Sequence, residues 1–322
     1  MKTETTTSFE TKFEEEVYEG LTASPKFLSS KYFYDKIGDK LFQDIMALPE
    51  YYLTNCELEV ISNHTAAIAE IFKGRDGFDL IELGAGDGKK TKVLLKYLDE
   101  HQYNFNFLPI DISQNVLDQL KSSLREELPN VNVYPQQGTY FEVLERLSEY
   151  NERKKVIMVL GSNIGNLLHP QAIHFLKDIQ RSMVEGDLLF MGFDQKKNPQ
   201  TILDAYNDKT GVTAAFNKNI LTRINNELDA DFNLDDFLHW EVYDPETGTA
   251  KSFLVSKKTQ KVSIKKLELE VNFQEWETIH TEISQKYNDE IVNWLAEESG
   301  LKIDGQFTDS KNYYKNYIFT KS

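Results

Sequence analysis

Residues 78–91, with the sequence FDLIELGAGDGKKT, determine the fold expected for this chain. The apolar run over 78–83 predicts a buried strand, and a helix is predicted to begin near Lys89. A strand that passes into a helix through three glycines leaves room for the backbone to approach a ligand. The stretch therefore predicts a ligand cradle in a doubly wound α/β sheet.

The spacing of the glycines indicates which ligand the cradle holds. The loop over 84–88 reads G-x-G-x-G with Glu82 just before it, whereas dinucleotide-binding loops read G-x-G-x-x-G. This pattern favours S-adenosylmethionine (SAM) as the ligand. The alternative is a tight strand-to-helix turn in some other doubly wound sheet.

An acidic residue follows the second predicted strand, residues 104–110. It is Asp111, 27 residues after Gly84, which leaves room for one helix between the two strands. A carboxylate in this position accepts hydrogen bonds from ribose hydroxyls, so Asp111 is the predicted ribose ligand. The alternative role for Asp111 is to cap the next helix, although Ser113 caps at least as well.

Two later loops follow predicted strands at 129–134 and 156–160. The first loop contains Thr139 and Tyr140, which are candidate contacts to the adenine, with an ordinary turn as the alternative. The second loop contains Asn166. Because ligands of doubly wound sheets sit beyond the carboxyl ends of the strands, Asn166 is predicted to lie in a catalytic position. Its alternative role is to stabilise a tight loop.

The pattern changes in the second half of the chain. Thr213 is predicted to cap a helix, and runs of partial alternation at 237–242, 250–256 and 262–273 predict antiparallel strands. A last strand is predicted at 317–320, at the edge of the first sheet. We assign the insertion, together with the N-terminal helices, to a second domain.

Residues 280–284 carry a further candidate site. If this piece is extended, His280, Glu282 and Ser284 project from one face, because side chains alternate along a strand. A carboxylate beside a hydroxyl binds a cationic or N–H bearing group. If the piece is helical, Glu282 and Ser284 diverge. The alternative is a solvated acid ahead of a helix predicted at 289–299.

Composition limits the classes of function. The chain has 322 residues, of which 40% are hydrophobic, and this indicates about two globular domains. Its net charge of −16 repels phosphate backbones, and no basic face carries interleaved aromatics, so no nucleic-acid partner is expected. The single cysteine, Cys56, excludes an intramolecular disulfide and fits a reducing compartment.

Signals for targeting and for metals are missing from the sequence. The N-terminus lacks the basic and apolar segments of a secretion signal, and no apolar stretch approaches the roughly 20 residues that span a bilayer. A cytoplasmic protein without a membrane partner is therefore expected. None of the six histidines pairs at i, i+4 or joins a cysteine pair, so no metal is expected. Neither a G-x-S-x-G elbow nor a Walker loop occurs, and no obligate protein partner is evident.

Seven stretches, taken together, match one family. They are KYFYDKIGDKLFQDI, LPEYYLTNCE, LIELGAGDGKKT, PIDIS, LGSNIGNL, AYNDKTGVTAAFNKNILTRINNELDADF and TEISQKY. They span nearly the whole chain in order and include stretches outside the glycine loop, which makes the match specific. The chain resembles the histidine-specific SAM-dependent methyltransferases of ergothioneine biosynthesis, which convert L-histidine to its N-α-trimethyl betaine, hercynine.

The resemblance implies an N-methyltransferase with SAM as methyl donor and L-histidine as its small-molecule substrate. Asn166 and Tyr206 are implied as catalytic residues that hold the α-amino group. Cofactor contacts are implied for Gly84, Lys90, Asp111, Thr139 and Tyr140. Substrate contacts are implied for Tyr34, which faces the carboxylate, and for Tyr51, Asn166, Tyr206, Glu282 and Ser284.

Two positions depart from the family pattern. Residues 138–140 read Gly-Thr-Tyr where the family has Gly-Asp-Phe, so a hydroxyl replaces a carboxylate at the adenine. Ser252 aligns with a methionine of the family's imidazole pocket. A same-fold N-methyltransferase acting on another aromatic amino acid or an indole is therefore an alternative, and a SAM-binding module without turnover is another. Tyr51 and Tyr52 are adjacent, so the substrate contact falls on either of them.

The predicted fold is α/β. It has a doubly wound, Rossmann-like SAM methyltransferase sheet and a second, smaller α+β substrate-binding domain. The SAM-binding core is predicted to comprise residues 58–196 and 286–322. The substrate-binding domain is predicted to comprise residues 8–57 and 197–285, with Ser8 as the cap of its first helix.

Overall fold

A computed structural model of the chain describes residues 9–148 and 153–322, so the predicted cap Ser8 lies outside the described residues. The described residues form ten α-helices and fourteen strands. The helices are α1 (Lys12–Thr22), α2 (Lys36–Met46), α3 (Tyr52–Phe72), α4 (Lys89–Glu100), α5 (Gln114–Glu127), α6 (Tyr140–Ser148), α7 (His169–Ser182), α8 (Pro199–Tyr206), α9 (Val212–Leu228) and α10 (Asp289–Ser299). The strands are β1 (Lys26–Phe27), β2 (Phe78–Leu83), β3 (Phe105–Asp111), β4 (Asn132–Val133), β5 (Gln136–Gln137), β6 (Lys154–Val159), β7 (Leu188–Asp194), β8 (Phe237–Asp244), β9 (Thr249–Ser256), β10 (Gln260–Ile264), β11 (Leu269–Phe273), β12 (Thr278–Gln285), β13 (Leu301–Thr308) and β14 (Tyr314–Lys321).

The chain divides into two compact units. The first unit contains the residues up to Tyr52 and Lys197–Ser284, and the second unit contains Leu53–Lys196 and Gln285–Ser322. The predicted domain boundary at 57/58 lies inside α3, because this helix begins at Tyr52.

The second unit is built on one mixed sheet with the strand order β13-β14-β7-β6-β2-β3-β4. Strands β7, β6, β2, β3 and β4 run parallel to one another, whereas β14 is antiparallel to both β7 and β13. The predicted edge position of the last strand is therefore wrong. Strand β13, which the sequence did not reveal, pairs outside it.

Helices cover both faces of this sheet. Apolar residues of α3, α4 and α5 pack with Leu80, Phe107 and Met158 on one face. Residues of α6, α7 and α10 pack with Ile81, Ile157 and other residues on the opposite face. Every residue of β2 is buried, as a central strand covered on both sides requires. The predicted doubly wound α/β fold is confirmed.

The first unit combines a sheet of order β1-β12-β9-β8 with the antiparallel hairpin β10–β11. Its core consists of residues from α1, α9 and the strands, including Phe216, Phe237 and Phe273. The run at 262–273, predicted as one strand, is split by a 3-10 turn at Lys265–Leu267 into parts of β10 and β11. The short β4 likewise shows that the strand predicted at 129–134 is mostly irregular.

The start of α9 differs from the prediction. Thr213 lies inside this helix and does not cap it, since the cap position is Gly211. The carboxylate of Asp208 accepts the N–H groups of Thr213 at 2.7 Å and Val212 at 3.1 Å. Burial alone would raise the pKa of Asp208, but these hydrogen bonds and one from Thr210 lower it to about 2. A carboxylate therefore stabilises the positive end of the helix.

None of the helices in the described part of the chain combines the length and the apolar character needed to cross a membrane.

Candidate active site

The second unit contains a switch point in its sheet. Strands β2 and β6 are parallel neighbours, and the chain continues from β2 to β3 on one side and from β6 to β7 on the other. The loops after β2 and β6 therefore leave the same edge of the sheet in opposite directions. Ligands of doubly wound sheets bind at such a point.

The glycine loop after β2 is shaped for close approach by a ligand. Gly84, Gly86 and Gly88 have φ angles of +74°, +53° and +65°, which residues with a side chain rarely adopt. A Cβ on Gly84 would lie 2.5 Å from the hydroxyl oxygen of Tyr140. A Cβ on Gly86 would meet no heavy atom of the described residues within 4 Å, so the backbone there is open.

Tyr140 reaches this loop, whereas Thr139 turns away from it. The Tyr140 hydroxyl is buried near Asp111 and Glu82, and the burial and the two carboxylates raise its pKa to about 12. Thr139 instead binds Glu142, to which its N–H donates at 2.9 Å and its hydroxyl at 2.8 Å. The Thr139 side chain is thus engaged at the start of α6.

Asp111 stands at the end of β3 and does not cap α5. Ser113 is the cap, because its hydroxyl accepts the N–H of Val116 at 3.3 Å. One carboxylate oxygen of Asp111 accepts the N–H of Ser113 at 2.9 Å. A carboxylate has about four acceptor sites, so Asp111 keeps capacity for a diol.

Glu82 lies below the glycine loop and is almost entirely buried, at 3% exposure. One of its carboxylate oxygens accepts the hydroxyl of Thr91 at 2.6 Å. Burial raises the pKa of Glu82 to about 7, against the opposing effects of Thr91 and Lys90. A cationic ligand over the loop would favour the ionised form of this carboxyl. The loop and its acidic surroundings therefore fit SAM, whose sulfonium is positively charged.

Replacing Glu82 by glutamine is expected to remove a pH dependence of stability. The carboxyl ionises near 4.5 when unfolded and near 7 when folded. Its contribution to stability is therefore complete below pH 4.5 and is lost as the pH rises to 7. Glu82→Gln, which keeps the acceptor for Thr91, should exceed the wild type in free energy of unfolding by roughly 3 kcal/mol at pH 8 and by little at pH 4.5.

Urea titrations of both proteins without SAM, at pH 4.5 and pH 8, measure this difference. An equal difference at the two pH values would show that Glu82 does not titrate between them.

A buried carboxylate holds Lys90. Glu57 of α3 has a fully buried side chain and pairs with the Lys90 ammonium. The same carboxylate accepts the N–H of Gly161 at 2.7 Å and the side-chain amide of Asn316 at 3.0 Å. Glu57 thus ties the helix after β2 to the loop after β6. Glu57 was not among the predicted site residues, although its place on the apolar stripe of α3, between Leu53 and Ile61, marks it as buried.

Asn166 is the last residue of a 3-10 turn, Asn163–Asn166, in the loop after β6. Its neighbours Ile164 and Gly165 are buried, whereas Asn166 is exposed. Asn166 lies in the second unit, as do the predicted cofactor residues, which are Gly84, Lys90, Asp111, Thr139 and Tyr140. Tyr34, Tyr51, Tyr206, Glu282 and Ser284 all lie in the first unit.

The first unit brings its candidate residues together. The hydroxyls of Tyr206 and Ser284 are hydrogen-bonded at 2.7 Å, and the ring of Tyr51 packs edge-on against that of Tyr206 at 6.2 Å. Tyr34 is 41% exposed as a whole residue, but its hydroxyl end is desolvated; this desolvation raises the pKa of Tyr34 well above its usual value, and the nearby carboxylate of Glu282 adds to the effect. Five side chains from four segments of the sequence therefore form one polar cluster.

Neighbouring residues have other partners. Tyr52 accepts a hydrogen bond from the Lys197 ammonium at 2.9 Å, and that ammonium also lies over the Tyr52 ring. The geometry therefore favours Tyr51 over Tyr52 as the cluster member. Residues 280–284 lie on the strand β12, so the extended alternative for this piece is confirmed and the helical one is wrong. The ring of His280 packs against Phe253.

Ser252, which departs from the family pattern, is buried on β9 beside β8. Its hydroxyl donates to the Glu241 carboxylate at 2.6 Å, and its carbonyl accepts the hydroxyl of Thr281 at 3.0 Å. Thr281 precedes Glu282 on β12. The sheet that carries Glu282 and Ser284 therefore also contains a chain of buried polar contacts across β8, β9 and β12.

Across residues 9–148 and 153–322, no group of three or more histidine, cysteine, aspartate or glutamate side chains is placed to hold a metal ion.

Comparison with known proteins identifies the family. A model described as histidine-specific methyltransferase, SAM-dependent, matches residues 13–321 of this chain. The chain belongs to this methyltransferase family. The mixed α/β sheet of the second unit is its Rossmann-like methyltransferase fold, and SAM is the methyl donor.

Several curated relatives align with most of this methyltransferase. The histidine N-alpha-methyltransferase of Mycolicibacterium smegmatis is 35% identical over 91% of this chain and 90% of its own length. Ergothioneine biosynthesis protein 1 of Schizosaccharomyces pombe is 28% identical over 91% of this chain and 39% of its own length. The L-tryptophan methyltransferase of Psilocybe serbica is 27% identical over 92% of this chain and 90% of its own length.

Proposed function

We propose that this methyltransferase transfers methyl groups from SAM to the α-amino nitrogen of L-histidine, three times, to give hercynine in ergothioneine biosynthesis. The observation that carries the proposal is the cluster of Tyr34, Tyr51, Tyr206, Glu282 and Ser284 in one unit. It combines hydroxyls with a carboxylate, which suits an amino acid with a polar ring. The bacterial relative named for the same reaction supports it.

The cofactor is assigned to residues of the second unit. The backbone at Gly84 accommodates close approach, Asp111 accepts from the ribose hydroxyls, and Lys90 offers an ammonium to the carboxylate of SAM. Tyr140 contributes a ring and a hydroxyl near the adenine. Thr139 is assigned there too, through its position beside Tyr140, since its own hydroxyl is engaged with Glu142.

The substrate side chain is assigned to Glu282 and Ser284. A carboxylate accepts an N–H of the imidazole, and a hydroxyl donates to or accepts from the other ring nitrogen. Partners of this kind reject substrates that lack the matching group. Tyr34 keeps its proton because its pKa is raised, so its hydroxyl is available to donate to the substrate carboxylate. Tyr51 is assigned to the same amino acid.

Asn166 and Tyr206 are proposed as the catalytic residues. SAM supplies an electrophilic methyl group that is bound to a sulfonium, and the sulfonium sulfur is the leaving group, as a neutral thioether. An amide oxygen, as on Asn166, and a phenol oxygen, as on Tyr206, each accept an N–H group of an amine and so orient its lone pair. A neutral phenol is a poor base at neutral pH, so solvent takes the proton.

Incubating the purified protein with SAM and L-histidine is expected to give trimethylated histidine. Mass spectrometry at early times follows the products, and a low level of monomethyl histidine is expected if successive transfers occur without release. Equimolar competition with L-tryptophan tests the alternative substrate class, because one relative is named an L-tryptophan methyltransferase.

Preferential methylation of tryptophan would replace histidine in the proposal. SAM binding without turnover of either amino acid would indicate a binding module. Accumulation of monomethyl histidine as the final product would overturn the three successive transfers.

A further inference from the structure

His239 is a buried histidine to which no role has been assigned. It lies on β8 and is 6% exposed, whereas its strand neighbours Leu238 and Trp240 face solvent at 41% and 55% exposure. Desolvation lowers its pKa, so the neutral imidazole is favoured. A neutral imidazole has one N–H donor and one acceptor nitrogen. Because buried polar atoms are normally hydrogen-bonded, the partners of these two nitrogens indicate the role of His239.

The hydrogen bonding of His239 defines which ring nitrogen carries the proton. Nε2 lies 3.0 Å from the backbone carbonyl oxygen of Tyr206. A carbonyl only accepts, so Nε2 must carry the hydrogen. Nδ1 has no hydrogen-bond partner among the described residues. Within the described part of the chain, the hydrogen bond of this imidazole is therefore made to Tyr206.

The contact is made at the end of a helix. Tyr206 is the last residue of α8, and the last carbonyls of a helix lack partners within it. His239 supplies a partner from β8, while the hydroxyl of Ser284 on β12 binds the Tyr206 phenol. Strands β8 and β12 belong to the same sheet and flank β9. Tyr206 is thus held at its backbone and at its hydroxyl by two strands of one sheet.

We propose that His239 is a positioning residue, whose Nε2–H holds the Tyr206 carbonyl and so sets where the Tyr206 hydroxyl meets the substrate amine. The proposal rests on the role assigned to Tyr206 above. A phenol attached to a frayed helix end would sample several positions. Because methyl transfer requires alignment of the amine lone pair, such sampling lowers kcat more than it lowers binding.

Three substitutions of His239 separate the effect of its N–H donor from the effect of its side-chain volume. The side-chain nitrogen of glutamine reaches the place of Nε2, whereas that of asparagine reaches only the place of Nδ1. His239→Gln should therefore keep most of the activity. His239→Asn and His239→Phe should lower kcat about tenfold or more, with little change in the KM for histidine or the Kd for SAM. Asparagine and phenylalanine variants as active as the wild type would overturn the proposal.

A double-substitution cycle with Tyr206→Phe distinguishes this inference from the proposal beneath it. If His239 acts through the Tyr206 hydroxyl, His239→Asn should cost little more once that hydroxyl is absent. An equal penalty in both backgrounds would mean that His239 has only a structural role. If Tyr206→Phe alone were fully active, the assignment of Tyr206 would fail, whatever the result at His239.

The wild-type protein provides a second measurement that needs no variant. Nitrogen NMR of labelled histidine resolves the two neutral tautomers. A protonated Nε2 and a bare Nδ1 on His239 are expected at neutral pH. A protonated Nδ1 would remove the hydrogen bond to Tyr206, and with it the inference.

Discussion

Replacing Lys90 by methionine is expected to weaken SAM binding about 10- to 100-fold and to lower the free energy of unfolding by about 3 kcal/mol. The two effects have separate causes. The stability loss arises because the carboxyl of Glu57, whose side chain is fully buried, would lose the ammonium that pairs with it. The loss of affinity arises because the ammonium no longer meets the carboxylate of SAM.

The double variant Lys90→Met with Glu57→Gln separates these causes. It removes both charges from the buried pair, so most of the stability should return, while SAM affinity should stay low. Calorimetry of SAM binding and urea unfolding measure the two quantities. Lys89→Met, which removes an exposed neighbouring ammonium on the same helix, is the matched control. A double variant that binds SAM as tightly as the wild type would show that Lys90 only neutralises Glu57.

Local sequence signals were sufficient for the central part of the second unit. The strand predicted at 78–83 and the helix predicted to begin near Lys89 match β2 and α4 at those bounds. The signals are short-range: an apolar run followed by glycines whose positive φ angles the turn requires. The position of Asp111 at the end of β3 was likewise predictable from the sequence, and Ser113 caps α5 as expected.

Strand β8 shows why other parts of the site were not predictable. Hydrophobicity would place Leu238, Trp240 and Val242 inside, but they are exposed, and His239 and Glu241 are buried in their place. The inversion is possible because the buried polar groups meet partners from elsewhere in the chain, such as the Tyr206 carbonyl and the Ser252 hydroxyl. The sequence of a single strand does not identify partners that lie elsewhere in the chain.

Glu57 illustrates the same limit on a helix. The periodicity of α3 marks its position as buried, but its three partners lie 33, 104 and 259 residues further along the chain. A buried charge is tolerated only when such partners are assembled. Short local motifs are therefore easier to recognise in a sequence than distant residues, such as Glu57, that hold those motifs in place.

Replacing Glu282 by alanine is expected to raise the KM for histidine roughly 10- to 150-fold, because a hydrogen bond to a charged group contributes about 1.5–3 kcal/mol. SAM affinity should not change, since Glu282 is not one of the residues assigned to the cofactor. The carboxylate acts on the Tyr34 hydroxyl, in the cluster assigned to the substrate. Steady-state kinetics with histidine as the varied substrate, together with calorimetry of SAM binding, measure both quantities.

The selectivity of the variant tests the assignment more sharply than its KM. If Glu282 accepts an N–H of the imidazole, its loss should penalise histidine and leave a substrate with an apolar ring, such as phenylalanine, unaffected or improved. The ratio of kcat/KM for the two amino acids should therefore fall in Glu282→Ala and stay constant in Glu275→Ala, which removes an exposed carboxylate before β12. An unchanged ratio in Glu282→Ala would remove this carboxylate from ring recognition, because a general loss of folding lowers both rates together.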